Sequence, residues 1–428
     1  MMLVALPKDA QVRPARRTLS ARGGSRGRLV AVGLLLAGLG SAAQAAAPSA
    51  NLTDPERRMI LDALAGDPDF DDGPPAAMGD AALWASLLRH ATLELGQRLK
   101  PAEVDPLWAL APPTRPVAAE AQAARDSGRL GLWIASLSQT EPRYRALQGL
   151  RCHYRAIVDA GGWASVAATV AGRTPTPAAL IALRARLAIE GYLPAADPPA
   201  GGAGQSLTAA VGDFQAHHAL TPDGVVGAQT LAALNMTAEA RLAQIDANLE
   251  RWRWTPRLPS ERVEVDVGGA EATLFVEDAP RLAMRAVVGD PAHKTPLFAS
   301  RLESVVFNPP WTVPASIAEK ELLPRERADP GYLARNAIVR VESGLQQRPG
   351  PRNSLGQLKF DFPSPFGVYL HDTPARSLFD QANRWRSHGC VRLQDPRGLA
   401  AAVMAPQGWT PEKVDAAVAT GATSRVTL

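Results

Sequence analysis

The chain has 428 residues, enough for two or three domains, and its 46% hydrophobic and 21% charged residues are ordinary for a folded protein. Its net charge of +4 comes from the N-terminus, where residues 1–28 carry seven lysines and arginines and one acid, whereas the remainder has a slight acidic excess. This distribution excludes the basic face that nucleic-acid binding requires.

Residues 1–45 have the composition of an export signal. A basic stretch is followed by the apolar run LVAVGLLLAGLG at 29–40 and by small residues that end at Ala45. Because a stable membrane span needs roughly 20 apolar residues, we predict a signal peptide over 1–45, cleavage near Ala45, and an exported mature protein without a span. An uncleaved anchor is the alternative, and Arg16-Arg17 leaves the export route open.

The next stretch, 50–172, is predicted to form a helical N-terminal domain. Segments such as DAALWASLLRHATLELGQRL combine helix-forming residues with apolar residues three and four positions apart. The sequence GRTPTP at 172–177 has the composition of a linker. A small module of three helices is predicted over 178–236. No chemistry can be inferred from the N-terminal domain.

Near residue 262 the hydrophobic period changes from that of helices to that of strands. In RVEVDV, three valines alternate with Glu264 and Asp266, and later segments such as SVVFNPP and LKFDF continue this pattern between turn residues. We therefore predict a mostly-β domain with attached helices over 250–428. The expected fold class is multidomain α+β.

The segment FQAHHALTPDGVVGAQTLAALN at 214–235 predicts a helix, a tight turn at Asp223-Gly224 and a second helix. It resembles the peptidoglycan-binding domain of bacterial wall enzymes. The matching residues are Phe214, Gln215, Asp223, Gly224, Gly227, Thr230, Leu234 and Asn235. The alternative interpretation is that these residues define the fold and bind nothing.

The segment VYLHDTPARSLFDQANRWRSHGCVRL at 368–393 has the residue types of a cysteine nucleophile site. A cysteine nucleophile needs a base, because the pKa of a free thiol is about 8.5, and His371 and His388 are the available imidazoles. Gly389 permits an unusual backbone before Cys390. On an extended strand Arg392 shares a face with Cys390, where it would depress the thiol pKa or hold a substrate carboxylate.

A histidine, fifteen residues, Ser-His-Gly-Cys and an arginine two positions later resemble the signature of the L,D-transpeptidases, which have a YkuD-type catalytic domain. Flanking stretches such as FNPPWTVPASIA and QRPGPRNSLGQLKFDFP resemble the long Gram-negative subfamily, and NLERWRW at 248–254 resembles its junction between binding module and catalytic domain. The resemblance covers most of residues 140–400.

This resemblance implies a role for each matching position. Cys390 would be the nucleophile and His371 the general base, with the backbone carbonyl of Asp372 orienting the imidazole. The residues implied to support the oxyanion site and its turn are His388, Gly389, Cys390 and Ser387. Those implied to contact substrate are Arg392, Tyr369 and Trp311.

The implied fold is a sandwich-like β domain, and the implied chemistry uses no metal and no cofactor. The thiolate would attack the diaminopimelate–D-alanine bond of a tetrapeptide stem, and D-alanine would leave. The side-chain amine of a second diaminopimelate would then take the acyl group, giving a 3→3 cross-link, which is an acyltransferase reaction of EC type 2.3.2. Carbapenems typically acylate this family. The resemblance implies a Gram-negative periplasm, with peptidoglycan stems as partners and protein partners undetermined.

The sequence departs from the family pattern at two places. The stretch between GYLARN and QRPGPRNSLG is only about ten residues, whereas long members carry a larger insertion that forms a lid. Lys294 stands in HKTP, where an arginine is common. The short lid leaves the acceptor open, so the same acyl-enzyme could attach or release a protein or hydrolyse a wall link.

Three other interpretations of the cysteine stay open from the sequence. Cys152 and Cys390 could form a disulfide in an exported protein. His371, His388 and Cys390 could bind zinc, although they lack a fourth ligand. The protein could also be a catalytically silent peptidoglycan-binding protein.

Overall fold

The computed structural model describes residues 2–6, 51–65, 78–97, 99–110, 114–137, 141–171, 175–194, 203–255 and 257–428. It divides the chain into two compact units, and each is described by itself. One unit comprises 9–92 and 116–135, and the other comprises 1–8, 93–115 and 136–428. The apolar run at 29–40 and the predicted cleavage position lie outside the described residues.

The helices follow the predicted helical regions. They are α1 (Asp54–Leu64), α2 (Asp80–Glu94), α3 (Pro101–Val104), α4 (Val117–Asp126), α5 (Leu130–Leu137), α6 (Pro142–Asp159), α7 (Pro177–Ile189), α8 (Ala203–His217), α9 (Ala228–Leu234), α10 (Ala238–Arg253), α11 (Ala315–Ile317), α12 (Leu323–Ala328), α13 (Tyr332–Arg335), α14 (Pro396–Met404) and α15 (Pro411–Ala419). None of the described helices is long and apolar enough to cross a membrane.

The smaller unit is helical and contains α1, most of α2, α4 and most of α5. Helix α1 begins at a capping box, in which Thr53 and Glu56 satisfy each other's backbone amides. Glu56 also pairs with Arg125 at 3.0 Å, which ties α1 to α4. The unit is therefore stabilised by polar contacts between its helices as well as by buried leucines.

The strands of the larger unit are β1 (Met2–Ala5), β2 (Arg262–Asp266), β3 (Glu271–Val276), β4 (Ala279–Gly289), β5 (Ala299–Arg301), β6 (Ser304–Phe307), β7 (Trp311–Thr312), β8 (Ile338–Val341), β9 (Gly344–Gln347), β10 (Leu358–Asp361), β11 (Leu370–His371), β12 (Trp385–Ser387), β13 (Val391–Leu393) and β14 (Ser424–Thr427). Eleven of the described strands form one sheet in the order β14-β6-β10-β11-β13-β4-β3-β2-β1-β5, with β12 on β4. The predicted multidomain α+β class is confirmed.

The alternating valines of β2 pack into the main hydrophobic core, as Val263 and Val265 are almost fully buried. Glu264, which alternates with these valines, is also buried. Its carboxylate accepts hydrogen bonds from Arg143 at 2.6 and 3.0 Å and from Arg262 at 2.7 Å. Helix α6 therefore covers this face of the strand and supplies the counter-charge that burial of a carboxylate requires.

Four residues of the predicted signal peptide form strand β1, which pairs antiparallel with β2 and parallel with β5. Their side chains are buried because they complete the sheet between two strands that are distant in sequence. The remainder of the predicted signal, 7–45, lies outside the described residues, so export stays a prediction.

Residues 311–347 form a small substructure, here called the 311–347 segment. Its three strands are ordered β7-β9-β8, and its short helices enclose a separate apolar cluster that includes Val313, Leu322 and Leu345. The stretch that the sequence identifies as a shortened lid is the hairpin β8–β9.

Candidate active site

The eleven-stranded sheet brings the two ends of the 368–393 motif together. Strand β11 lies parallel to β13, with His371 opposite Arg392, and the amide of Val391 donates to the carbonyl of Tyr369 at 3.1 Å. Because side chains alternate along a strand, Tyr369 and His371 share one face with Cys390 and Arg392. The opposite face carries Leu370 and Val391, which are buried in the main core.

The turn before Cys390 is fixed by hydrogen bonds. Gly389 has φ +107°, a conformation that L side chains rarely adopt. Its amide donates to Ser387 Oγ at 3.1 Å, its carbonyl accepts from Thr295 Oγ1 at 2.8 Å, and Ser387 Oγ donates to the carbonyl of Cys390 at 2.5 Å. The amide of Gly389 is therefore occupied in stabilising the turn. No sequence pattern indicates the role of Thr295.

The Cys390 thiol is half-buried beside two cations and a phenol. Burial raises its pKa above the ordinary value, and this outweighs hydrogen bonds from the backbone and side chain of Tyr369 and the charges of Lys359 and Arg392. The net thiol pKa is therefore raised. Arg392 acts in the predicted direction, but loss of solvation is larger.

The His371 imidazole is buried, with 4% of the residue exposed. Its Nδ1–H donates to the carbonyl of Asp372 at 2.5 Å, and since a carbonyl only accepts, the proton lies on Nδ1 and the lone pair on Nε2. Burial and the nearby Arg392 lower the pKa of His371 to about 3. The imidazole is therefore neutral at physiological pH and has one unprotonated nitrogen.

His388 occupies a different position from His371. Its Nε2 lies 2.7 Å from Glu321 Oε1, its ring centroid is 4.8 Å from that of His293, and 41% of its side chain is exposed. Glu321 lies in a π-helical turn, Ala318–Leu322, of the 311–347 segment. His388 therefore connects the turn before Cys390 to the 311–347 segment. The sequence motif alone does not predict this contact.

Trp311 and Tyr369 meet at the edge of the site. Trp311 is within hydrogen-bonding reach of the Tyr369 hydroxyl, and burial together with the Cys390 thiol raises the pKa of that hydroxyl. The Tyr369 ring centroid lies 5.7 Å from that of His371. These contacts bring all three predicted side chains, Trp311, Tyr369 and His371, to the surroundings of Cys390.

Lys359 and Asp361 are site residues that the sequence analysis missed. Lys359 lies opposite His371 on β10, and its Nζ is 4.3 Å from the centroid of the Tyr369 ring and 2.7 Å from Asp361. Asp361 in turn pairs with Arg425 at 2.8 Å. The alternation of LKFDF was the available signal, because it puts Lys359 and Asp361 on the face opposite Phe360.

The two other cysteine interpretations fail in the structure. Cys152 is an exposed free thiol on α6 and Cys390 is also free, so the disulfide alternative is wrong. Among the described residues, no group of three His, Cys, Asp or Glu side chains is arranged to hold a metal ion. Lys294 is exposed and lies 3.9 Å from Asp105.

The signature residues of the 178–236 module satisfy one another. Gln215 Nε2 donates to Asp223 Oδ1 at 2.9 Å and to Thr230 Oγ1 at 3.0 Å, while the amide of Gly224 donates to Gln215 Oε1 at 2.8 Å. Asn235 exchanges two hydrogen bonds with the backbone of Val166. These residues therefore build the turn and helix ends, and their hydrogen-bonding groups are occupied inside the fold.

Comparison with known proteins agrees with this geometry. Residues 260–418 match the family described as "L,D-transpeptidase catalytic domain", and 176–234 match that described as "Putative peptidoglycan binding domain". A Haemophilus influenzae protein described as "Putative L,D-transpeptidase" is 34% identical over 222 residues. That match covers 46% of this chain and 45% of the relative, so the chain spans about half the relative's length.

The chain therefore contains an L,D-transpeptidase catalytic domain and a peptidoglycan-binding domain, in the predicted order.

Proposed function

We propose that this protein is a peptidoglycan L,D-transpeptidase that forms 3→3 cross-links through an acyl-enzyme on Cys390. The observation that carries the proposal is the neutral His371, held by the Asp372 carbonyl on the strand beside the half-buried thiol. A neutral imidazole and a protonated thiol are the reactants of general-base-assisted nucleophilic attack.

In the first step, Cys390 Sγ bonds to the carbonyl carbon of the diaminopimelate–D-alanine link. Nε2 of His371 takes the thiol proton and returns it to the amine of D-alanine when the carbon–nitrogen bond breaks. In the second step, the side-chain amine of another diaminopimelate attacks the thioester. His371 accepts a proton from that amine and passes it to the departing sulfur.

Arg392, Tyr369 and Trp311 are assigned to substrate binding in this proposal. Arg392 Nε is buried without a hydrogen-bond acceptor among the described residues, so a substrate carboxylate or carbonyl would satisfy it. The Tyr369 hydroxyl interacts with Cys390 and with Trp311, which supports a contact of this hydroxyl with the reacting acyl group. The proposal needs no metal and no cofactor.

The domain pair supports a location in the cell envelope, where peptidoglycan is found. Export through a signal over 1–45 to a Gram-negative periplasm is part of the same proposal. Cell fractionation and N-terminal sequencing of the mature protein test it. A new N-terminus near residue 46 is the expected result and would mean that β1 is absent from the mature sheet, whereas an intact N-terminus would mean that β1 stays paired with β2 and β5.

Acylation by a carbapenem tests the nucleophile. We expect the intact mass to increase by one carbapenem, and the Cys390→Ala protein to show no adduct. A Cys390→Ser protein should keep its melting temperature and its binding to sacculi but lose cross-linking. Unchanged turnover in Cys390→Ser would refute the assignment.

The acceptor is tested by supplying the enzyme with disaccharide-tetrapeptides and analysing the products by mass. A dimer that has lost one D-alanine indicates a 3→3 cross-link, whereas a tripeptide monomer indicates that water takes the acyl group. A product joined to an added protein would indicate protein attachment. If no product forms in any arm and no carbapenem adduct is seen, the protein is a silent binding protein.

A further inference from the structure

Two adjoining cavities form a groove beside the β2–β3 hairpin of the eleven-stranded sheet, and the residues that line it do not include His371, Cys390 or Arg392. The cavities measure about 390 and 400 Å³, and both are lined by Asp266 and Glu271, so they adjoin one another. Cavities of this size are in the range of small-molecule sites. The proposed reaction uses none of the residues that line them.

The first cavity, here called the charged lobe, lies between the peptidoglycan-binding module and the catalytic domain. The module contributes His217 and Thr221, and the catalytic domain contributes Arg285, Asp380 and Arg384. Arg285 lies 3.7 Å from Asp380, and both side chains are at least half exposed. Charges of both signs near solvent suit a ligand that itself carries carboxylates and an amine.

The second cavity, here called the aromatic lobe, is lined by Trp108, Trp252 and Phe275, with Asn248 and Arg251 at its rim. Its lining also includes polar and charged side chains such as Arg143, Glu264 and Thr273, and the Arg143 guanidinium lies 4.8 Å from the centroid of the Trp252 ring and 5.6 Å from that of Phe275. A sugar ring would pack its C–H groups on the aromatic surface that Arg143 leaves open, while its hydroxyls reach the polar neighbours. Arg251 Nη1 donates to Asn248 Oδ1 at 3.3 Å, so the rim is organised.

Trp108 gives an independent sign of a missing ligand. The residue is 7% exposed, and its buried indole N–H has no acceptor among the residues that the structure describes. A buried unsatisfied donor costs about 1–3 kcal/mol and is rare in folded proteins. The indole nitrogen has almost no exposed surface, so a sugar oxygen would accept from it only after a rim side chain such as Arg251, which lies 5.6 Å from the centre of the Trp108 ring, moves aside.

The module's own signature does not compete with the groove as a binding surface. Gln215, Asp223 and Thr230 are engaged with one another inside the module. The module residues that face the charged lobe are instead the exposed end of α8 and the turn after it, from Ala216 to Pro222. Recognition by the module is therefore expected on the side that faces the catalytic domain.

We infer that the groove binds one disaccharide-peptide unit of peptidoglycan, with its sugars in the aromatic lobe and its stem peptide in the charged lobe. The inference rests on the proposed function for the identity of the polymer. It adds a second binding site, built jointly by the module and the catalytic domain, that holds the wall at a distance from the thiol.

The test titrates full-length Cys390→Ala protein with soluble disaccharide-tetrapeptide, using calorimetry and tryptophan fluorescence. The groove variant adds Asn248→Ala and Arg251→Ala, and a second variant adds Glu271→Ala. These side chains are exposed, so the fold should persist. The matched control adds Arg301→Ala and Glu303→Ala, which are exposed residues outside the groove.

We expect saturable binding that alters tryptophan fluorescence. The affinity should be about tenfold weaker in each groove variant and unchanged in the control. Chito-oligosaccharide should bind weakly and lose affinity only in the Asn248/Arg251 variant. Absence of binding to Cys390→Ala protein, or equal affinity in the groove and control variants, would overturn the inference.

The same groove substitutions in protein with an intact Cys390 separate this inference from the proposed function. Acylation by a small carbapenem should be unchanged, because the replaced residues, Asn248, Arg251 and Glu271, lie outside segment 368–393. If the groove variants form the carbapenem adduct and bind muropeptide with normal affinity, the groove inference is refuted and the proposed function is not. Muropeptide binding without any adduct supports the groove and refutes the proposed chemistry.

Discussion

The pH dependence of acylation follows from the burial of the catalytic pair. Burial and Arg392 lower the pKa of His371 to about 3, and burial raises the pKa of the Cys390 thiol. Between these values the histidine is neutral and the thiol protonated, so the fraction of enzyme in the reactive protonation state stays constant. The rate of carbapenem acylation should therefore be flat between about pH 4 and pH 8.

The size of the effect can be calculated for one pH. At pH 5 an imidazole with an ordinary pKa of about 6.5 is only about 3% neutral, whereas one with a pKa of about 3 is about 99% neutral. The ratio of rates at pH 5 and pH 8 is then about 1 for the buried histidine and about 0.03 for an ordinary one.

Stopped-flow absorbance with excess carbapenem measures this ratio, and a buffer blank corrects for spontaneous hydrolysis of the drug. A break near pH 6.5 would refute the assigned state of His371. A tenfold rise per pH unit throughout would mean that preformed thiolate reacts without a base. In a His371→Gln protein we expect that rise, with the rate at pH 7 lower by roughly 10²–10⁴-fold.

Three substitutions test the surroundings of the site. Gly356→Ala should reduce the rate of acylation at least tenfold. Gly356 has φ +62°, and an added Cβ would lie 2.4 Å from Asp372 Cγ, so the residue that orients His371 would be displaced. Measured acylation rates check this prediction, and a wild-type rate would contradict it. Glu264→Gln should lower the free energy of unfolding by about 1–3 kcal/mol, because it removes a buried carboxylate that pairs with Arg262 and Arg143, although Asp278 and Glu141 remain as their other partners, and denaturant titration measures the loss. Burial alone would raise the pKa of Glu264, but its arginine partners hold it below the ordinary value, so this stabilisation is present above about pH 4.3 and lost as pH falls further. Tyr369→Phe should raise the thiol pKa further, because a hydrogen bond to sulfur is lost; iodoacetamide rates against pH measure this, and an unchanged profile would contradict it.

The sequence could indicate the proposed nucleophile and base because both lie in one short motif. His371 ends strand β11, and Cys390 directly precedes the neighbouring strand β13. Local pattern and strand alternation are therefore enough to place both residues on one face. The sequence could not predict whether the thiol pKa is raised or lowered overall. That direction depends on how far solvent is excluded, which is set by the packing of the whole domain.

Contacts between distant segments were the other features that the sequence analysis missed. Glu321 meets His388 from a π-helical turn, and Met2–Ala5 completes a sheet whose partners begin more than 250 residues later. Neither contact has a local signal, since charge on a helix usually indicates a solvated face and a basic N-terminus resembles a leader. Both follow from tertiary topology alone.

The protonation state of the site before substrate binds also affects how well the thiol resists oxidation. Oxidation and disulfide exchange require the thiolate, so a thiol whose pKa is raised by burial resists both in an oxidising compartment. The same burial keeps His371 neutral, so the proton is removed only when a carbonyl is present to receive the sulfur. A solvated thiolate–imidazolium pair would react with oxidants as readily as with substrate. We therefore interpret the raised thiol pKa as part of the catalytic design, since it couples nucleophile activation to substrate binding.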